Sequence, residues 1–556
     1  SAVKWRLIVI LLFFITAVIG LISRLVYLNI VDRNFLLKQS QSRILRVINM
    51  PAYRGMIVDR LGSPLAISSP LDSIWVNPQL FQANGKQHFL LAKYLGLNEF
   101  IMNQRIHRAK KNGREFIYLK RLNTPNVATE VKQLKIPGVF MQREYKRFYP
   151  GGEVTAHVVG LTNIDDQGQE GVELAFNQWL TGTDGKKEVI KDRLGHVIAN
   201  VAMLKKPQQG KNLTLSIDHR IQYLAYRTLK SQISKYHAKS GSVVVLDVKT
   251  GEILADVNQP SYNPNDRPRD HDGRFRNRAL TDMFEPGSTM KPFTIALALM
   301  SGKYTPQTIV NTSPGRMKIG GYTIKDDGLD YGKINLTQVL QKSSNIGAAK
   351  IMLSLPPQGY WELLRSFGFG QRTNSGFPGE SPGSLTEHTT WYPSVVATLA
   401  YGYGIAVTTL QLAHGYQVLA NYGIKMPISL IKLTHPVQGR RVLSQKVAKM
   451  VISMLRTVVE KGGTGWRAQV PGYKIAGKTG TAYIASSKGY DKHRFIASFV
   501  GLAPASSPRL VVAVVVRDPK GQHFGGIVSA PVFAKIMSGA LRYLNVPPDD
   551  LITSSI

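Results

Sequence analysis

The chain predicts an α+β fold, an antiparallel sheet of about five strands with helices laid against it, preceded by a segment able to cross a bilayer. Three stretches carry that expectation. Ser242–Val248 and Glu252–Val257 are apolar runs separated by Lys249-Thr250-Gly251, which reads as a hairpin with a glycine turn. Ile295–Met300 is an uninterrupted apolar run following Pro286-Gly287-Ser288, which reads as a helix buried on all sides. Near the end, Tyr473–Ile484, Phe495–Gly501 and Arg509–Val516 read as three further strands that complete one sheet with the hairpin.

Composition sets the outer limits. At 556 residues the chain exceeds one ordinary core, and 43% hydrophobic with 9% aromatic residues is a globular composition. There are no cysteines, which excludes disulfides, thiol catalysis and cysteine-ligated zinc. Against 35 acidic residues stand 70 Lys and Arg, a net charge of +35. Such a chain favours polyanions, either nucleic acid or an anionic cell envelope. The basic residues are scattered and no nucleic-acid motif stands out, so no nucleic-acid partner is expected.

The N-terminus points to the envelope. Lys4 and Arg6 precede Leu7–Leu28, a span long enough to cross a bilayer, with Arg24 near its far end where it can snorkel. No small-residue cleavage site follows, so the span reads as a retained anchor with a stub of residues 1–6 inside and the rest outside the cytoplasm. Residues 29–212 are mixed and short-periodic. Their charges read as structural pairs and His157 as a packed histidine, without metal-ligand spacing or a phosphate-binding glycine loop. Leu213–Asp218, leading into a helical pattern over Arg220–Tyr236, marks the boundary to a second domain over 213–545, followed by a tail at 546–556. Within it, Leu336–Gln341, Asn345–Leu353 and Val407–Leu419 are helical in pattern, and residues 366–384 read as an irregular excursion.

Ser288-Thr289-Met290-Lys291 stands at the mouth of the apolar helix, with Pro292 tolerated near its first turn. Residues three apart share a helix face, so a hydroxyl and an amine here can act as nucleophile and base. The spacing alone is cheap. Ser429-Leu430-Ile431-Lys432 repeats it inside a stretch that looks like a strand, Ser261-Tyr262-Asn263 is a second Ser-x-Asn, and Lys249-Thr250-Gly251 a second Lys-Thr-Gly. Only Ser288-x-x-Lys291, Ser343-x-Asn345 and Lys478-Thr479-Gly480 come in order on a helix start, a helix junction and a strand.

That trio resembles the one found in penicillin-binding proteins and class A β-lactamases. With the anchor, Arg54–Gly62, Phe148–Gly160, Tyr401–Leu412 and Phe524–Phe533, the chain resembles class B penicillin-binding proteins over nearly its whole length, and among them the division-specific septal peptidoglycan D,D-transpeptidase of the penicillin-binding protein 3 type. Leu161–Gly171 favours the division type, whereas Tyr483 stands where such proteins often carry a basic residue. The resemblance implies a penicillin-binding/β-lactamase-like transpeptidase domain on an extended pedestal, anchored in the bacterial inner membrane and facing the periplasm. It implies no cofactor and no metal. Implied partners are the stem peptides of lipid-linked peptidoglycan, β-lactams, a membrane glycosyltransferase of the SEDS type and other division proteins.

The implied roles are Ser288 as nucleophile, Lys291 as its base, Ser343 as proton relay oriented by Lys478, and Asn345 as a substrate contact. Thr479, Gly480 and Thr481 would hold the terminal carboxylate end, and the N–H groups of Ser288 and Thr481 would form the oxyanion hole. Lys291 has to be neutral to accept a proton, and burial and the neighbouring Lys478 are both expected to push it that way. A β-lactamase, a β-lactam sensor and a non-catalytic scaffold are the rival readings. No Glu-x-x-Leu-Asn stretch of the class A kind follows Ser343, and six residues ahead of the anchor hold no signalling module.

Overall fold

The computed structural model describes residues 2–27, 45–192, 197–270 and 272–551. Leu28, the last residue of the expected anchor, and residues 552–556 of the expected tail lie outside them. By compactness the chain forms two units, one of Ser1–Arg54, Ser69–Lys146 and Thr181–Gly210, the other of Gly55–Ser68, Arg147–Leu180 and Lys211–Ile556.

The first unit begins with the helix Ala2–Val26, whose stretch Val3–Val26 is long and apolar enough to cross a membrane and is exposed throughout. Its small core is built by Ile74 and Val76, by Leu91 and Leu95 of the helix Gly85–Leu95, by Met102 and Ile106 of Glu99–Lys111, and by Leu119 and Val131. The first of these helices starts in a capping box between Asn84 and Gln87 and stops at Gly96 in the left-handed region (φ 62°). A separate three-stranded antiparallel sheet has Gly185–Lys191 in the middle, Leu45–Met50 on one side and Val197–Lys205 on the other.

In the second unit a five-stranded antiparallel sheet holds β1 (Ser240–Asp247), β2 (Ile253–Gln259), β3 (Ala476–Ser486), β4 (Gly489–Ala503) and β5 (Leu510–Arg517) in the order β2-β1-β5-β4-β3. Period-two alternation splits β1 between two cores. Val243 and Val245 join Ile221 and Leu229 of α1 (His219–Lys235) on one face; Val244 and Leu246 join the opposite core. That second core is built by α2 (Lys291–Met300), α3 (Leu336–Gln341), α4 (Asn345–Leu353), α5 (Thr409–Ala420) and α6 (Gln445–Val459), while α7 (Ala530–Tyr543) packs beside α1. Because both faces are covered, every residue of β1 is buried and the strand reads as one apolar run.

Three expectations need adjusting. Ser288 lies in a 3₁₀ turn, Gly287–Met290, and the α-helix proper begins at Lys291. Gly287 is left-handed there (φ 62°) and Pro292 sits where its missing N–H costs nothing. β4 reaches back to Gly489 instead of starting at Phe495, because Gly489–Asp491 pairs with Ile484–Ser486 of β3 beyond a bulge, in a largely exposed arm whose polar residues carry no alternation signal. Ser429–Ile431 is not a strand of any sheet. Ser429 O accepts from Ile253 N at 2.9 Å and Leu430 O from Ser216 N at 2.8 Å, so consecutive residues are stitched to two different segments.

Candidate active site

The nucleophile turn is held from every side. Thr289 Oγ1 donates to Pro286 O at 2.9 Å, and the buried Tyr416 hydroxyl of α5 donates to Thr289 O at 2.7 Å. Gly287 N donates to Gly402 O at 3.1 Å, and a Cβ on Gly402 would fall 1.9 Å from Gly287 O, so only glycine fits there. Glu285 Oε1 accepts from Gly404 N at 2.8 Å and from the Tyr490 hydroxyl at 2.9 Å, tying the turn to the β3–β4 arm. In this buried surround Ser288 itself stays half-exposed.

Lys291 is fully buried at the start of α2. Its Nζ lies 2.9 Å from Ser288 Oγ, 3.0 Å from Ser343 Oγ, 2.7 Å from Ser343 O and 2.8 Å from Asn345 Oδ1. Ser343 reaches it from the α3–α4 junction in a left-handed conformation (φ 58°), a strained position for a non-glycine residue. Ser344 caps α4, accepting from Gly347 N at 2.9 Å and donating to Asp326 Oδ2 at 2.7 Å, while Asp326 Oδ1 accepts from Ile346 N at 3.1 Å. The buried Asp326 carboxylate thus anchors the junction that aims Ser343 and Asn345. Asn345 is engaged at both ends, its amide nitrogen donating to Lys325 O at 3.0 Å.

From β3, the equally buried Lys478 brings Nζ to 2.9 Å from Ser343 Oγ and 3.1 Å from Thr479 O. Gly480 is the contact point with the nucleophile turn. A Cβ there would meet Ser498 Oγ at 2.4 Å, Thr289 Cγ2 at 2.9 Å and Pro286 O at 3.0 Å. The Thr479 hydroxyl pairs with Thr464 Oγ1 at 2.7 Å, and Thr481 Oγ1 accepts from Gly525 N at 3.0 Å. Tyr483 lies against the Phe495 ring with centroids 5.2 Å apart and donates its N–H to the Tyr403 hydroxyl at 3.2 Å.

The electrostatics follow from burial. Desolvation lowers the Lys291 ammonium to about 7, against the upward pull of Asp326 and Asp327. Lys478 is pushed well below its ordinary value, first by desolvation and then by repulsion from Lys291. Burial leads for both amines, and the repulsion between neighbouring ammoniums is mutual, so each disfavours the charged form of the other. Both shifts run the same way, towards the neutral amine.

All eight expected residues fall where the 3₁₀ turn, the α3–α4 junction and β3 meet. The look-alike motifs have other partners. Ser429 Oγ donates to Ile431 O at 2.6 Å, Lys432 Nζ to Arg60 O at 3.0 Å, Ser261 Oγ to Glu153 O at 2.7 Å, and Lys249-Thr250-Gly251 is a turn closed on Asp247. Sequence reasoning missed Asp326, Thr464 and Glu285. Asp326-Asp327 carries no motif, whereas Thr464 stands in Gly462-Gly463-Thr464-Gly465, a glycine cluster that could have marked it.

Comparison with known proteins gives the family of the chain. Residues 241–538 match the family described as Penicillin binding protein transpeptidase domain, and residues 49–215 match Penicillin-binding Protein dimerisation domain. The chain is 44% identical to Probable peptidoglycan D,D-transpeptidase PbpC of Pseudomonas aeruginosa, over 99% of this chain and 97% of the relative. It is 42% identical to Peptidoglycan D,D-transpeptidase FtsI of Escherichia coli, over 99% and 94%. Among solved structures it is similar to the transpeptidase domain of Burkholderia pseudomallei penicillin-binding protein 3, at 45% identity and TM-score 0.56 over 60% of this chain and 98% of that one. It is also similar to Mycobacterium tuberculosis penicillin-binding protein 3 complexed with aztreonam, at 28% identity and TM-score 0.70 over 90% and 98%. The chain belongs to the class B penicillin-binding proteins of the penicillin-binding protein 3 type, a family of peptidoglycan D,D-transpeptidases.

Proposed function

We propose that this chain cross-links peptidoglycan stem peptides through an acyl-enzyme on Ser288, and the observation that carries the assignment is the Lys291 amine 2.9 Å from Ser288 Oγ in a fully buried position. In this reading neutral Lys291 takes the Ser288 proton as the hydroxyl attacks the carbonyl of the penultimate D-alanine. The backbone N–H groups of Ser288 and Thr481 receive the developing oxyanion, an interaction worth roughly 3–4 kcal/mol per donor in comparable enzymes. Ser343, between two amines, passes the proton to the leaving D-alanine nitrogen, and Lys478 keeps its hydroxyl aligned. Asn345 positions Lys291 and the substrate backbone; Thr479, Gly480 and Thr481 line the carboxylate end. The amine of a second stem peptide then attacks the ester, forming the cross-link and freeing Ser288.

The reading extends to cell context. The septal role follows the names of the similar FtsI proteins, and Lys4 and Arg6 ahead of the span support a cytoplasmic N-terminus with the catalytic part in the periplasm. The proposed division is a stub over 1–6, an anchor over 7–28, a pedestal over 29–212, a transpeptidase domain over 213–545 and a tail over 546–556. A SEDS-type membrane glycosyltransferase and other division proteins are the proposed protein partners.

Intact-protein mass spectrometry after brief exposure to benzylpenicillin tests the assignment against Ser288→Ala. A persistent single adduct on the unmodified chain alone is the expected result. Hydrolysed drug without an adduct would instead mean a β-lactamase, and neither adduct nor hydrolysis a non-catalytic protein.

A further inference from the structure

α6 carries no acidic residue from Gln445 to Val459, and its Lys446, Lys449, Ser453 and Arg456 recur at three- and four-residue steps, so they share one face. Like charges at that spacing repel, which an anion held on the face would relieve. Lys449, Ser453 and Arg456 line a cavity of about 310 Å³, together with the buried Ile452. Tyr422, just after α5, and Ser506, in the turn between β4 and β5, complete the lining.

Tyr422 is fixed at both ends. Its hydroxyl donates to Ser506 O at 3.2 Å, and its carbonyl accepts from Arg441 Nη1 at 2.8 Å. It stands past the end of α5 in the left-handed region (φ 54°), a place usually given to glycine or asparagine. Two ammoniums approach its ring, Lys449 Nζ at 5.1 Å and Lys249 Nζ at 5.5 Å from the centroid. Among the described residues, Lys249, Lys449 and Arg456 form no ion pair. The carboxylates bonded to these segments are already engaged by backbone N–H groups. Asp549 accepts from Lys474 N at 2.7 Å and Ser506 N at 3.1 Å, and Asp247 from Lys249 N at 2.9 Å and Thr250 N at 3.1 Å. Positive charge is therefore in excess at the cavity.

An ammonium, a guanidinium and two hydroxyls from separate segments suit a tetrahedral phosphate, whose oxygens point several ways, better than a flat carboxylate. The Tyr422 ring and Ile452 leave apolar surface for the group that carries it, and the volume falls within the range of small-molecule sites. We propose that this cavity binds the phosphate of a small organic phosphate between Lys449 and Arg456, with its organic part against Tyr422 and Ile452. No lining residue belongs to the site around Ser288, and the proposal does not depend on the chemistry assigned there.

Isothermal titration of the full chain in detergent micelles with phenyl phosphate, at physiological ionic strength, tests it. The expected result is a single saturable site, weakened about tenfold or more by Lys449→Gln and by Arg456→Gln, each of which removes one charge-assisted contact. Melting temperature and acylation by benzylpenicillin should stay unchanged in both variants. Dihexanoyl phosphatidic acid in place of phenyl phosphate separates two sources of the group. Tighter binding at the same site identifies a lipid headgroup, and equal or weaker binding a soluble ester. Many sites, binding untouched by both substitutions, equal affinity for benzoate, or no binding of either phosphate would overturn the proposal.

Discussion

Lys291 and Lys478 meet at a single hydroxyl. Ser343 Oγ lies 3.0 Å from one Nζ and 2.9 Å from the other, and both amines are fully buried. Two ammoniums at that separation without water oppose each other, so the arrangement favours loss of a proton at neutral pH. A base is active when neutral, and burial has lowered Lys291 to about 7. Acylation by benzylpenicillin should therefore rise through about pH 7, plateau above it, and fall about tenfold per unit below it. Stopped-flow acylation rates across that range check this; a flat profile would remove Lys291 as the base.

Asp326 pulls the Lys291 value upward and also ties down the start of α4. Asp326→Asn should move the midpoint of the acylation profile to lower pH, because the stabilising negative charge is gone. It should also cost about 2 kcal/mol of stability, since bonds to an ionised acceptor are replaced by weaker ones. The same pH series with denaturant unfolding reads both effects, and an upward shift would contradict the electrostatic account.

Gly480 is required by proximity, since its φ is not in the left-handed region. Gly480→Ala has to displace Pro286 O and the Thr289 methyl, both part of the nucleophile turn. Acylation should fall on the order of 10²-fold, the cost of small misplacements of reacting groups. A crystal structure of the variant should show the 3₁₀ turn displaced from β3, and unchanged kinetics would mean that the turn gives without consequence.

Away from the site, Arg147 and Glu173 form a fully buried ion pair at 2.6 Å, and Arg147 also donates to Gly55 O at 2.7 Å. Replacing one member strands the other charge without solvent. Glu173→Gln should cost about 3–5 kcal/mol, measured by denaturant titration. Arg147→Met with Glu173→Leu should recover most of that loss, which a purely local packing defect would not do.

Much of this protein is legible in one dimension. The apolar run of β1, the caps at Asn84 and Ser344, and the helix after Ser288 are local consequences of residue type and spacing. The β3–β4 arm escaped because its exposed residues leave no pattern of burial, and Ser429–Ile431 misled because apolar residues look like a strand whether they pair with one neighbour or two.

From the sequence by itself come the membrane-spanning helix, the antiparallel sheet and the order of Ser288, Lys291, Ser343, Asn345 and Lys478, since each depends on hydrophobic periodicity or short-range spacing. Only the tertiary structure decided that both lysines are buried against the Ser343 hydroxyl and in which direction that burial moves them. Desolvation and charge repulsion arise when segments far apart in the chain close around one hydroxyl, and no local pattern encodes that closeness.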